Sequence, residues 1–406
     1  MNSLKSLFRK SGSVAEDEKS LSSQSASFNP GPQSPRYAYG FQSPYQQPRI
    51  LILVDNVRAT YFLSFHYVLK RLHETESLAF FVIDSAEVGR WTQSQGGGSP
   101  EAFVNQVIED TAPTMVIFSR YGVPYGDVLP GLFKARNVST VCHIDDDLLN
   151  INTDLGAEIQ NRQGDPVVLA ARRILLEESD LIYTSTAFLG DRFATQFPQQ
   201  TVFYGTYPPY PEFLLTETEP RKTKQPNQAL TIGYMGSKGH QVDLDAIAPA
   251  ILQVMETHPT YRFETFGTIK MPEALRSLGS RTRAHNTNTD YAGFLNQLNQ
   301  LGWDIGLIPL QDTPFNRCRS ATKFVEYTAC GIPSLVSSGY VYDQFAQAAE
   351  PLIVQVDDGD WAARLDEMIQ NAPQRAALVK NAQRHCAEVF SLNAVEAQIK
   401  EMLALA

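Results

Sequence analysis

The chain has 406 residues, 43% of them hydrophobic, with a formal net charge of −10. That length and apolar content can bury two cores of ordinary domain size. The acidic balance argues against a nucleic-acid partner, which leaves a basic footprint, and no run of eighteen apolar residues offers a transmembrane helix.

Residues 1–48 are rich in Ser, Gln, Pro and Tyr, a composition that predicts a disordered tail. The first twenty residues lack the apolar core of a secretion signal. Leu4, Leu7 and Phe8 beside Lys5, Arg9 and Lys10 form one short basic-apolar tag. A floppy tail is the simpler reading; a peripheral contact with the inner membrane face is the other. Cys142, Cys318, Cys330 and Cys386 are widely spaced without metal-type pairing, which suits a reducing cytoplasm.

Regular structure is expected from Arg49. Apolar runs predict strands at 49–55, 78–84, 114–120, 138–145 and 180–185, with helices at 59–72, 100–110, 126–136 and 167–178. The Gly96-Gly97-Gly98 run lacks the strand context of a dinucleotide fingerprint and reads as a flexible loop. This alternation implies right-handed βαβ units and a parallel sheet over 49–206. A Pro- and charge-rich stretch, 207–228, predicts a linker. Alternation restarts over 229–390, with strands at 230–237, 261–267, 305–310 and 352–356 and helices at 247–257 and 291–301. A last helix covers 391–406. The expected architecture is α/β, two Rossmann-like domains facing each other across a cleft.

The segment 303–338 carries the strongest chemical signal. It predicts a buried strand, a polar loop, a helix beginning at Ser320 as N-cap, a turn at Gly331 and a second strand. In an open α/β sheet ligands bind beyond the carboxyl ends of the strands. This loop therefore brings Arg317, Arg319 and the free N–H groups of a helix start to a ligand edge, a combination suited to phosphate or diphosphate. Lys323 and Glu326 share one helix face. They are either a surface pair, or they divide a nucleotide between phosphate and ribose; the flanking strands favour the second.

From Asn316 to Tyr327, and through Glu326, Gly331 and Pro333, the sequence resembles the nucleotide-sugar site of retaining GT-B-fold glycosyltransferases, the glycosyltransferase family 4 group, in a polysaccharide-type branch. Many members carry another glutamate where this chain has Cys318, so a carboxylate contact to the donor sugar is not carried over. The resemblance implies a nucleotide-sugar donor as co-substrate, no metal and no further cofactor, and a saccharide or lipid-linked acceptor. It also implies that Glu326 holds ribose while Arg319, Ser320 and Lys323 hold diphosphate. The turn Gly236, Ser237, Lys238 and His240 follows a strand; it is either a tight turn with a solvated lysine or a border of the donor diphosphate.

The 141–151 stretch ends a first-domain strand. Its three adjacent acids do not spread as a hard cation requires. The resemblance places an acid or histidine here beside the acceptor hydroxyl, making His143, Asp145 and Asp146 the catalytic candidates; a capping role for Asp146 or Asp147 is the bland alternative. Arg120 is either a cleft-locking salt bridge or an anion contact, and His66 and His73 read as packing residues. The function expected is glycosyl transfer for surface polysaccharide. A non-catalytic scaffold of the same fold and a sugar-nucleotide epimerase are the alternatives.

Overall fold

The computed structural model describes residues 28–42, 48–76, 78–94, 98–151, 160–161, 163–205, 207–216, 223–287, 289–357 and 359–406. The basic-apolar tag at 4–10, Gly96-Gly97 and the middle of the 207–228 linker lie outside them. Two sheets organise the chain. The first has seven strands in the order β1-β3-β2-β4-β5-β6-β7. These are β1 (Tyr39–Phe41), β2 (Arg49–Val54), β3 (Ala79–Asp84), β4 (Met115–Ser119), β5 (Ser139–Ile144), β6 (Leu181–Thr184) and β7 (Thr201–Tyr204). All pair in parallel except β1, which joins β3 antiparallel. The second has six parallel strands in the order β10-β9-β8-β11-β12-β13. They are β8 (Thr231–Gly236), β9 (Arg262–Gly267), β10 (Thr282–His285), β11 (Ile305–Ile308), β12 (Ser334–Ser337) and β13 (Val354–Val356).

The central strands are near-continuous apolar runs because helices cover both faces. Side-chain caps start several of these helices. Ser99 accepts from the Ala102 N–H, Asp165 from Val167 and Asp290 from Gly293. Gly331, at φ +65°, follows the helix Thr322–Ala329 in the left-handed conformation its sequence position predicts.

Three expectations change. The helix expected at 59–72 is interrupted by a π-turn at Phe62–His66, between Ala59–Tyr61 and Tyr67–Glu76. The Tyr61 hydroxyl meets His66 Nδ1 at 3.0 Å across this five-residue spacing. The edge strands β1, β7 and β10 were not foreseen; β7, for one, is too exposed to show an apolar run. Finally, residues 28–42 are not part of a disordered tail. Ala38 N–H donates to the Val82 carbonyl at 2.8 Å, Tyr37 Oη to Asp110 at 2.9 Å and Trp91 Nε1 to the Gln33 carbonyl at 2.8 Å. Phe28 and Tyr37 pack edge-on against each other and on Phe81. Four aromatics in fifteen residues supply the apolar area that the polar composition conceals.

Two features tie the sheets together. The last helix, Leu392–Leu405, returns to the first domain, where Val395, Ile399 and Met402 join the core with Val68, Leu69 and Leu72. Cys318, from the second domain, is buried in the first domain's apolar cluster, and Thr186 Oγ1 donates to its carbonyl at 3.2 Å. Both contacts bring the carboxyl edges of the two sheets face to face.

If 28–42 belongs to the core, Tyr37→Ala lowers the unfolding free energy by about 3 kcal/mol in urea titration. A dangling segment would give no measurable change.

Candidate functional site

The cleft is lined by loops after β8 and β11 on one side and after β4 and β5 on the other. On the second-domain side three basic residues converge. His240 closes the turn after β8, while Arg319 and Lys323 stand on either side of the start of Thr322–Ala329. Lys323 Nζ is 3.0 Å from His240 Nε2, and Arg319 Nη1 reaches the same nitrogen. His240 Nδ1 lies 3.2 Å from Asp243 Oδ2. Asp243 Oδ1 in turn accepts from the Gln311 N–H at 3.0 Å.

The shorter contacts to the two cations are served when Nδ1–H donates to Asp243 and the Nε2 lone pair faces Arg319 and Lys323, with Arg319 Nη1 also 3.2 Å from Nδ1. Burial, then Arg319 and Lys323, hold the imidazole well below its usual range, so it stays neutral. Burial also raises Asp243, an effect that hydrogen bonds and the two cations oppose. Lys323 is pushed down to about 7 by burial and by Arg319. Glu326, buried and accepting from Tyr291 Oη at 2.9 Å, is pushed up to about 7 by burial. Arg319 Nε is buried with no hydrogen-bond partner, although the guanidinium lies over the Phe315 ring at 5.0 Å. A buried N–H of this kind is costly unless an acceptor meets it. Within a cationic cluster the acceptor that fits is an anion oxygen.

Ser320 does not cap the helix. Its Oγ meets Thr322 Oγ1 at 2.8 Å, the N-cap is Ala321, and no side chain caps the first turn. The helix start therefore keeps its N–H groups for another partner. Gly236 ends β8 beside the cluster, and its carbonyl accepts from Thr268 and Ile269 N–H. Ser237 and Lys238 are exposed, and the Ser237 carbonyl accepts from the His240 N–H at 3.0 Å. Arg317 turns away to a bidentate pair with Asp312 at 2.7 Å.

Across the cleft, Arg120 ends β4 at φ +53°, a left-handed conformation rare for a side-chain-bearing residue. Its Nη1 donates to Asp145 at 2.8 Å and Asp146 at 3.3 Å, and Thr60 Oγ1 donates to Asp145 at 3.0 Å. This is the salt-bridge form of the Arg120 expectation. Asp147 is fully buried, with Arg192 Nε at 2.8 Å and Asn150 Nδ2 at 3.0 Å, and it holds a turn instead of capping a helix. His143 departs from its expected place at the acceptor. It is 1% exposed, its Nδ1 pairs with Ser119 Oγ at 2.9 Å, and its ring lies among Phe65 and Tyr183. Strand alternation turns it into the core, where burial and Arg120 push it down to about 3.

The two sides feel each other: the Asp146 carboxylate favours the charged form of Lys323, and Tyr207 stands in the field of Asp145 and Arg120. Asp243, Tyr207 and Tyr291 escaped the sequence reading. Only Asp243 left a signal, sitting three residues after His240.

No family model and no curated protein matches the chain. Solved structures do. A sucrose-phosphate synthase from Thermosynechococcus elongatus superposes with TM-score 0.61 at 12% identity, over 88% of this chain and 98% of that one. HepE of Anabaena, in complex with UDP-glucose, gives 0.59 at 14% identity, over 88% and 100%. This chain has the GT-B fold. A trehalose-6-phosphate synthase is similar too, with TM-score 0.57 at 11% identity over 88% of this chain and 99% of that one. The chain spans only 54% of a further match, TarM, at TM-score 0.49. In this fold the basic cluster and the Arg120–Asp145–Asp146 network occupy facing edges of the cleft.

Because Lys323 and Glu326 both lie near 7, raising pH removes a positive charge and adds a negative one. An anion that favours protonated Lys323 and Glu326 binds best below pH 7 and weakens as pH rises through it. Sulfate, which stays a dianion, should lose about tenfold in affinity between pH 6 and 8. Lys323→Met should weaken sulfate binding and flatten that slope. A pH-independent affinity in the wild type would remove the cluster from anion binding.

Proposed function

We propose that the chain is a glycosyltransferase that moves a sugar from a nucleoside-diphosphate donor to a saccharide or lipid-linked acceptor in surface polysaccharide synthesis. The observation that carries this reading is the buried, orphaned guanidinium N–H of Arg319 inside a partly buried basic cluster at an uncapped helix start. Burying a cation is expensive unless it is paired, and a diphosphate supplies the missing charge. Neighbours of the same fold support a uridine nucleotide, since HepE is described with UDP-glucose and with UDP.

In this reading Arg319, Lys323 and the first N–H groups of Thr322–Ala329 hold the two phosphates, and His240 orients both cations through Nε2. Glu326, fixed by Tyr291, accepts from ribose hydroxyls. As the sugar–oxygen bond breaks, charge grows on the leaving phosphate. Pre-positioned cations stabilise that charge more than the ground state. Asp146 is the acceptor-side candidate: half-buried, within electrostatic reach of Lys323, and 3.3 Å from Arg120 Nη1. Asp145, held by Arg120 and Thr60, positions it. Retention of anomeric configuration is part of the proposal and is supported by the trehalose-6-phosphate synthase neighbour, described in terms of glycosyl transfer with retention. Independence of metal is supported by the arginine partners of Asp145 and Asp147.

A panel of UDP, GDP, dTDP and ADP sugars should reveal one base that raises the melting temperature; a ligand at 100 Kd adds about 2.7 kcal/mol. Glu326→Gln should weaken that nucleotide about tenfold, ~1.4 kcal/mol, with little change in melting temperature. Equal binding by mutant and wild type would exclude Glu326 from the ribose.

Transfer should persist in EDTA. Loss of turnover restored by Mn²⁺ or Mg²⁺ would overturn the metal-free mechanism. Asp146→Asn should lower kcat about a hundredfold while donor Kd stays within about twofold. Unchanged kcat would move acceptor activation elsewhere.

A further inference from the structure

A cavity of about 1790 Å³ stands apart from the basic cluster, with none of His240, Arg319 and Lys323 in its lining. It is walled by the carboxyl ends of β6, β7, β12 and β13, by the loop after β11 as far as Ala321, and by the C-terminal helix. Small-molecule pockets reach about 1,000 Å³, so its size calls for a long ligand.

Three observations define that ligand's chemistry. First, nine large apolar side chains are exposed among the described residues, and three of them, Phe188, Tyr204 and Val389, line this one cavity. Phe188 is 48% and Tyr204 50% exposed, and Phe203, Tyr207, Trp361 and Phe390 are the other aromatic residues of the lining. Apolar side chains gathered at one place mark a binding surface, whereas scattered ones need no explanation. Second, polar groups share this lining: Glu401, and Ser338, Gln344 and Gln398, whose side chains also bond to Val356, Val341 and Tyr183. Gln398 and Glu401 are three apart on one helix and face the same way. Third, the lining holds three carboxylates, Asp312, Asp357 and Glu401, against one guanidinium, Arg317, which Asp312 already pairs. That balance repels an anionic chain.

Flat apolar faces with a hydroxyl rim, repeated over a long and uncharged molecule, describe pyranose rings in series. We propose that this cavity binds a neutral oligosaccharide several rings long, held by Phe188, Tyr204 and Trp361 stacking on sugar faces. The proposal rests on the glycosyl-transfer reading only for the use made of the chain: its end would reach the cleft past Tyr207, which lines the cavity and stands in the field of Asp145. The aromatic rings take no part in holding the donor.

The test uses the full chain without nucleotide. Neutral hexasaccharides of gluco-, galacto-, manno- and N-acetylglucosamine type are titrated while tryptophan emission is followed, with Trp361→Phe assigning the signal among the three tryptophans, beside an anionic hexauronide and vesicles of anionic phospholipid. At least one neutral hexasaccharide should bind, and Phe188→Ala and Tyr204→Ala should each weaken it fivefold or more while nucleoside-diphosphate binding stays within twofold. Both rings are half-exposed, so both variants should fold. Binding of no neutral hexasaccharide, tighter binding of the hexauronide or vesicles, or wild-type affinity in both variants would overturn the proposal. Nucleotide binding without saccharide binding sinks this inference alone. Saccharide binding without nucleotide binding sinks the donor reading instead.

Discussion

Two cations, Arg319 and Lys323, converge on the lone pair of one neutral imidazole, and the remaining features of the cleft follow from keeping that arrangement in the protein interior. Like charges this close repel by several kcal/mol at the effective dielectric of a protein. The protein relieves the repulsion in three ways. Asp243 fixes the imidazole so that Nε2 faces the cations, Lys323 is pushed down to about 7, and Asp146 and Glu326 supply negative potential from both sides of the cleft. None of these fully pairs the Arg319 guanidinium. A site left short of negative charge in this way is prepared for an anion, and an arriving diphosphate would meet groups that are already oriented.

The arrangement depends on closure. Lys323 belongs to the second domain and Asp146 to the first, so their mutual influence exists only while the domains stay together. Cys318 in the first domain's core and the helix Leu392–Leu405 clasped against Val68 and Leu72 hold them there. Cys318 is therefore explained by packing: a carboxylate in that apolar setting would lack partners.

The sequence made the parallel strands legible because strands buried on both faces read as plain apolar runs, as at Arg49–Val54 and Ile305–Ile308. It hid the edge strands, where β7 alternates no more than a loop would, and it hid the aromatic packing of 28–42 under a polar composition. In the site, Arg319, Lys323 and Glu326 were legible because one helix and its preceding loop carry all three. His240 was recognisable as a ligand-edge residue, but its partners Arg319 and Lys323 are 79 and 83 residues away. His143 was misplaced because it lies within β5 and not beyond its carboxyl end, and apolar clusters pack both faces of that strand. Tyr291 carries no local mark at all of its bond to Glu326, 35 residues on.

The most direct measurement is a crystal structure of the chain with the nucleoside diphosphate that stabilises it most. The account expects the phosphate oxygens within hydrogen-bond distance of Arg319 and Lys323, with Arg319 Nε now donating and the ribose hydroxyls on Glu326. A nucleotide bound elsewhere, with Arg319 and Lys323 still closed on His240, would contradict it.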